Sequence, residues 1–114
     1  MLTDEQTDRE LLELAAQAAG YSLSEVNDMI WSDAEAEYVH WNPLTDDGDA
    51  LRLAVKIGME FAADDEATHC AFAYARVRGA GDSHIFEPII DDSCKALRRA
   101  IVRAAAELQR AKEK

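Results

Sequence analysis

The segment 41–55, with the sequence WNPLTDDGDALRLAV, constrains the fold more than any other part of the chain. Pro43 disfavours a helical conformation at Asn42 and ends any strand that runs through the middle of a sheet. Thr45 is a good helix N-cap, and the aspartates after it suit the free amides and dipole of a first helical turn. The apolar residues that follow at helical spacing are Ala50, Leu53, Ala54, Ile57 and Phe61. The segment therefore predicts a strand end joined to an amphipathic helix that fades at residues 62–65.

Two further helices are predicted near the two ends of the chain. Thr7 and Glu10 have the spacing of a capping box, so we expect the first helix to run from Thr7 to Ala19. Gly20 follows it, where a left-handed residue commonly ends a helix. The last helix is predicted to begin near residues 92 and 93, with acids at its start and lysines at its end, as the helix dipole favours.

A β-hairpin is predicted before the central segment, because aromatic and β-branched residues lie on both sides of a polar gap. If the chain turns at Ala34–Ala36, Trp31 lies opposite Val39 and Met29 lies opposite Trp41. These four side chains then share one face, and we expect both tryptophans to be buried in the core. The alternative is that the tryptophans form an exposed aromatic patch that contacts a partner.

A second hairpin is predicted from residues 68–78 and 83–90, joined by a turn at Gly79–Asp82. Its first strand has one face of small residues, which admits a closely packed helix, and both faces are largely apolar, so we expect cover on both sides. Pro88 marks the second strand as an edge strand or lies near its end. The element order is then α-β-β-α-β-β-α. The predicted fold is α+β, a three-layer αβα sandwich in a single domain, residues 1–114, with a four-stranded, largely antiparallel sheet and helices on both faces.

The composition fits one small globular domain in the cytoplasm. The chain has 114 residues, of which 48% are hydrophobic and 31% are charged. We expect no membrane span and no secretory signal, because no apolar run is long enough and the first residues are acidic. Cys70 and Cys94 are therefore expected to be reduced thiols that fill apolar space.

The net charge of -11 is unevenly distributed. Residues 1–50 contain thirteen acids and one base, whereas residues 51–114 contain ten acids and eleven bases. This acidity repels phosphate backbones, so nucleic-acid binding is not expected. The candidate interaction surface consists of charged side chains on the last helix and near the first hairpin turn, namely Arg98, Arg99, Arg103, Glu35 and Glu37. If the arginines bind a partner, a weakly bound nucleic acid or an acidic protein is expected; the alternatives are a solvated helix face or internal pairing with the acidic half.

Three segments resemble the motifs of a family of small phage and prophage proteins. They are DRELLELAAQAAG at 8–20, WNPLTDDGDALRLAVK at 41–56 and RRAIVRAAAE at 98–107. In this order they are similar to the phage αβα ("ABA") sandwich domain family. The resemblance implies an αβα sandwich and a proviral origin. It implies no activity and no site residues, because the family is essentially uncharacterised. Residues 62–90 match none of these motifs, so a role particular to this protein is expected there.

The sequence predicts no catalytic, cofactor-binding or metal-ligating residues. A calcium loop counted from Asp46 has glycine at its third position and Ile57 at its twelfth, whereas the loop needs glycine at the sixth and glutamate at the twelfth. The histidines and cysteines lack the short spacings of zinc sites. Cys94 lies at a predicted helix start, but Asp91 and Asp92 oppose a thiolate there.

Three hypotheses for the function follow. The first is a non-enzymatic phage or prophage accessory protein that needs no cofactor and acts by contact with a host or phage protein. The second is an acidic inhibitor of a host protein that mimics DNA and occupies a basic site. The third is a small enzyme of unrecognised type, built for example around His40, Asp46 and His84. A homodimer through the sheet edge near Pro88 or through the last helix is left open.

Overall fold

A computed structural model describes residues 4–24, 29–63, 72–77, 84–90 and 92–112. This part of the chain is a mixed α+β structure with three helices and five strands. The helices are α1 (Asp4–Ala19), α2 (Asp47–Ile57) and α3 (Ser93–Lys112). The strands are β1 (Met29–Ser32), β2 (Glu37–His40), β3 (Met59–Ala63), β4 (Phe72–Val77) and β5 (Ile85–Pro88).

The strands form two separate antiparallel sheets. β1 and β2 form a hairpin, and the second sheet has the order β3-β4-β5. In the larger sheet Met59 pairs with Val77, and Ala75 pairs with Ile85. Among the described residues β5 lies at an edge of this sheet and ends at Pro88, so both positions predicted for Pro88 are observed. The single four-stranded sheet predicted from the sequence is not observed among the described residues, and the turn predicted at Gly79–Asp82 lies outside them.

α3 lies at the centre of the packing. The helix contacts all three strands of the larger sheet, and α1 and α2 pack against it as well. Ala73 and Ala75 of β4 are completely buried, so the small face of this strand admits α3 closely, as the sequence predicts. A helix that is packed on several sides needs apolar residues around much of its circumference. The buried residues of α3 are Ala96, Ala100, Ile101, Val102, Ala104, Ala105 and Ala106.

α2, which the sequence predicts to continue to residues 62–65, ends at Ile57. The strand β3, which is not predicted from the sequence, follows it. Gly58 takes a left-handed conformation with φ of 83°, and its amide donates to the carbonyl of Ala54. This is a common way for a helix to end. Phe61, assigned to the helical stripe, therefore lies in β3, where it pairs with Ala75.

Replacing Gly58 with alanine is expected to lower the free energy of unfolding by about 1–2 kcal/mol, because a Cβ atom is costly in the left-handed region. Apart from the adjoining residues and the nearby backbone of α2, no atom of the described residues lies within 4 Å of the position that this Cβ would occupy, so the loss measures mainly the backbone. Replacement with asparagine, which tolerates this conformation, is expected to cost less. Urea denaturation of the two variants checks the order. Equal losses of unfolding free energy for alanine and asparagine would contradict a left-handed conformation at Gly58.

The first hairpin has a register one residue away from the predicted one. Trp31 lies opposite Tyr38 rather than Val39, and Val39 lies opposite Ile30. The turn has four residues, 33–36, and ends at Ala36 in a left-handed conformation with φ of 54°. A shift by one residue moves each side chain of a strand to the opposite face relative to its partner strand. The predicted face that joined Trp31 with Val39 is therefore wrong.

Both predicted helix N-caps also differ from the structure. α1 begins three residues before Thr7, so Thr7 lies inside the helix and the capping-box prediction is wrong. The N-cap of α2 is Asp46 instead of Thr45, and its side chain accepts from the amide of Asp49 at 2.8 Å. The hydroxyl of Thr45 donates to the carbonyl of Asn42. Its hydroxyl is thus used inside the turn that precedes the helix.

Candidate binding cleft

A cleft of about 730 Å³ lies between the β1–β2 hairpin, the residues that follow α1 and one side of α2. Ligand sites in proteins commonly have volumes of roughly 300–1,000 Å³. The cleft combines aromatic, acidic and basic side chains, namely Tyr21, Trp31, Trp41, His40, Asp33, Glu35, Asp49, Arg52 and Lys56. This mixture suits a ligand that carries both apolar groups and charges.

Trp41 and Tyr21 form the aromatic part of the cleft. Trp41 is buried, as the sequence predicts, and its ring packs edge-to-face against Tyr21 with the centroids 5.7 Å apart. The ammonium of Lys56 lies 5.4 Å from the centroid of the Tyr21 ring, within the range of a cation–π interaction. Burial raises the pKa of the Tyr21 phenol above its ordinary value of 10, and the charge of Arg52 partly opposes that rise. The phenol is therefore protonated at neutral pH.

Asp49 connects the start of α2 to the end of the first hairpin. The carboxylate is only 8% exposed, and its Oδ2 accepts from the amide of Asn42 at 2.9 Å. Its Oδ1 accepts from a guanidinium nitrogen of Arg52 at 2.6 Å. A buried charge is tolerated when it is paired and hydrogen-bonded in this way. Asp49 therefore fixes both the chain at Asn42 and the position of Arg52.

Arg52 presents a positive charge at the cleft. Its hydrogen bond to Asp49 raises the pKa of the guanidinium, and the charge of Asp46, 3.8 Å away, acts in the same direction. The side chain is nevertheless 67% exposed. Arg52 is thus a fixed cation that remains open to solvent.

Trp31 and Tyr38 form an exposed aromatic pair on the hairpin. Their rings pack edge-to-face with the centroids 5.3 Å apart, and their exposed fractions are 42% and 50%. The indole N–H of Trp31 donates to Asp33 at 2.9 Å. The prediction that Trp31 is buried is therefore wrong, because the observed register turns the Ile30–Val39 pair towards the core instead. The alternative drawn from the sequence, that the tryptophans are exposed, is observed for Trp31 and not for Trp41.

The arginines of the candidate interaction surface are paired within the chain. Arg98 donates to Asp47 at 2.6 Å and to the carbonyl of Leu44 at 2.8 Å. Arg99 donates to Asp8 at 2.8 Å. The internal pairing with the acidic half that the sequence left open is thus observed for both residues.

Arg103 and the two glutamates of that surface lie elsewhere. Arg103 pairs with Glu87 and also donates to the carbonyl of Phe86, both on β5. Glu35 lies in the hairpin turn and lines the cleft, and Glu37 is exposed at the start of β2. The glutamates are therefore on the hairpin, and the arginines connect α3 to α2, α1 and β5.

The residues considered for catalysis or metal binding are dispersed over the fold. His40 lines the cleft, whereas His84 packs against Tyr74 and Phe86 of the larger sheet. Within the described part of the chain, His, Cys, Asp and Glu side chains form no group of three or more suited to a metal ion. Cys94 is exposed and reduced, so the prediction that it fills apolar space is wrong. Cys94 lies two residues before Ala96, the first buried residue of α3, so it belongs to the part of the helix that lies outside the core. Cys70 and His69 lie outside the described residues.

Comparison with known proteins found no matching family model, no similar curated protein and no similar solved structure. The resemblance to the phage αβα sandwich family, drawn from three sequence segments, therefore remains a prediction. In the described ranges, no helix has the length and apolar character that crossing a membrane requires.

Proposed function

We propose that this protein is a non-enzymatic phage or prophage accessory protein that acts by contact with another protein. The observation that supports it most is the exposed Trp31–Tyr38 pair, of which Trp31 also lines the cleft. Tryptophan and tyrosine are enriched among the residues that contribute most to binding at protein interfaces. The phage origin, the αβα layering and the cytoplasmic location rest on the sequence motifs and composition.

The pKa values of two cleft residues suit a binding role better than a role in acid–base catalysis. A catalytic acid or base works best with a pKa near the working pH. Both Tyr21 and Arg52 have pKa values raised further from neutrality by their surroundings. These two groups keep one protonation state near pH 7, which suits a fixed recognition surface.

The DNA-mimic hypothesis receives less support from the arrangement of the acids. A mimic needs a row of carboxylates that face a basic partner. Asp8 and Asp47 pair with Arg99 and Arg98, and Asp49 is buried. The charges of Asp8 and Asp47 are thus partly neutralised within the chain, and Asp49 does not face a partner. No observation favours the hypothesis of a small enzyme.

The proposal predicts that a partner binds the wild-type chain and not a Trp31→Ser/Tyr38→Ser double variant. The two chains are immobilised, exposed to lysate of a bacterium infected by a tailed phage, and the captured proteins are identified. The captured protein is then purified, and its affinity for both chains is measured by calorimetry. We expect at least a tenfold loss of affinity in the double variant.

The matched control is Val55→Ser, which removes another exposed apolar side chain from outside the pair. We expect this variant to bind as the wild type does. The proposal fails if no purified protein binds the wild type, or if the double variant binds as well as the control.

A further inference from the structure

We propose that the cleft binds an extended peptide segment of the partner protein, with an acidic side chain of the peptide at Arg52 and Lys56 and a basic side chain at Asp33 and Glu35. The inference rests on the proposed function, because it takes the partner to be a protein. It goes beyond that function because it assigns the part of the partner that is recognised and the order of charges along it.

The cationic end of the cleft is on α2. Arg52 and Lys56 are four residues apart, so their side chains emerge from the same side of the helix. Arg52 uses part of its guanidinium for Asp49 and Asp46, and the exposed remainder of its five donors is open to a second acceptor. Hydrogen bonds from cations to carboxylates are stronger than those between neutral groups. This end therefore suits a carboxylate.

The acidic end of the cleft is at the tip of the hairpin. Asp33 and Glu35 lie in the turn, and both line the cleft. The base of the hairpin, where Met29 pairs with His40, is close to α2, because the amide of Asn42 donates to Asp49. Asp33 follows Met29 by four residues, which corresponds to about 13 Å of strand at ~3.3 Å per residue. The acidic turn is thus about four residues of strand away from the end of the hairpin that contacts α2.

Apolar side chains line the same cleft. They include Trp31, Val39 and Trp41. About four steps of an extended chain cover ~13 Å, the length from the base of the hairpin to its turn, whereas a single ion or a free amino acid is shorter. A segment with opposite charges at its ends and apolar residues between them therefore matches the cleft along its whole length.

Four capped pentapeptides test the inference by calorimetry. Two carry opposite charges in the two possible orders, acetyl-EVLVK-amide and acetyl-KVLVE-amide, and two carry like charges, acetyl-EVLVE-amide and acetyl-KVLVK-amide. The caps remove the terminal charges. We expect one of the first two to bind the wild-type chain at least tenfold more tightly than either like-charged peptide.

Charge-reversal variants then locate the two ends. Lys56→Glu is expected to make the doubly basic peptide the tightest ligand, and Glu35→Lys is expected to make the doubly acidic peptide the tightest. A gain of affinity for a new peptide cannot arise from loss of folding. The controls Lys112→Glu and Glu107→Lys change the net charge equally on α3 and are expected to keep the wild-type order.

The inference is overturned if the four peptides bind equally, if none binds, or if the cleft variants and the α3 controls behave alike. Binding of the purified partner to the same variants distinguishes failure of the peptide inference from failure of the proposed function. A partner that needs Trp31 and Tyr38 but is insensitive to Lys56→Glu and Glu35→Lys removes the peptide inference alone. If the wild-type chain has no partner at all, the proposed function itself fails.

Discussion

Replacing Leu53 with alanine is expected to lower the free energy of unfolding by about 2–5 kcal/mol. Leu53 is 0% exposed and is one of the largest fully buried side chains of the described residues. It lies on α2 in the apolar core that this helix shares with α1 and α3. Truncation removes the buried methyl groups and leaves a cavity, and both effects destabilise the folded state. Because small domains are stable by only about 5–15 kcal/mol, the loss is a large fraction of the total.

The same substitution two residues earlier in α2 provides a matched control. Leu51 is 52% exposed, so Leu51→Ala changes the same atoms in the same helix without opening a buried cavity. We expect a change within about 0.5 kcal/mol, as for most surface substitutions. Urea denaturation measures both variants. Similar losses at the two positions would show that α2 is not packed as described.

The helices were the most predictable part of the fold, because their apolar residues recur with helical spacing. The stripe of α2 through Ala50, Leu53 and Ala54 is buried as predicted, and α3 begins at the predicted position. The starts of α1 and α2 were less predictable. Several residues near the start of α2 can cap it, and the sequence alone does not distinguish Thr45 from Asp46.

β3 was missed because its residues also satisfy a helical pattern. Phe61 follows Ile57 by four residues, so it continues the apolar stripe of α2. Met59, Phe61 and Ala63 also alternate as a strand requires. Gly58 decides between the helical and the extended interpretation, because its left-handed conformation ends α2. The sequence pattern alone does not show that this glycine is left-handed. The same error concealed the three-stranded sheet.

The candidate cleft was not predictable because it depends on the register of the hairpin. The sequence placed the turn at Ala34–Ala36, whereas the observed turn also includes Asp33. This one-residue difference places Trp31 beside Tyr38 and leaves both exposed. The cleft also needs Lys56 and Tyr21, which are thirty-five positions apart, to meet at the end of α1. No local pattern contains that information.

The charged interaction surface illustrates a related limit. The sequence contains several arginines in α3 and an acidic first half. Whether these charges face a partner or one another depends on tertiary packing. Arg98 and Arg99 reach Asp47 and Asp8, which are 51 and 91 positions away. Such pairs are invisible in a composition or a helical projection.

Replacing Asp49 with alanine is expected to lower the free energy of unfolding by about 2–3 kcal/mol. The change removes the hydrogen bond from the amide of Asn42 to Asp49 and the closest partner of Arg52. An unsatisfied donor that is partly buried costs more than the hydrogen bond itself contributes. We also expect faster hydrogen exchange at the amide of Asn42, measured by NMR. Asp49→Asn retains one carbonyl acceptor and is expected to give an intermediate loss.

Asp47→Ala is the matched control, because it removes an acid from the same first turn of α2. The carboxylate of Asp47 is 68% exposed, and Arg98, whose side chain is 16% exposed, keeps its hydrogen bond to the carbonyl of Leu44 when the acid is removed. Solvent screens a pair with so exposed an acid, so its contribution is about 1 kcal/mol. We therefore expect a smaller loss of stability and unchanged exchange at Asn42. Equal losses in the two alanine variants would mean that the acids act only through the helix dipole. An unchanged exchange rate in Asp49→Ala would mean that Asp49 does not hold the hairpin against α2, and the geometry of the cleft would then need another origin.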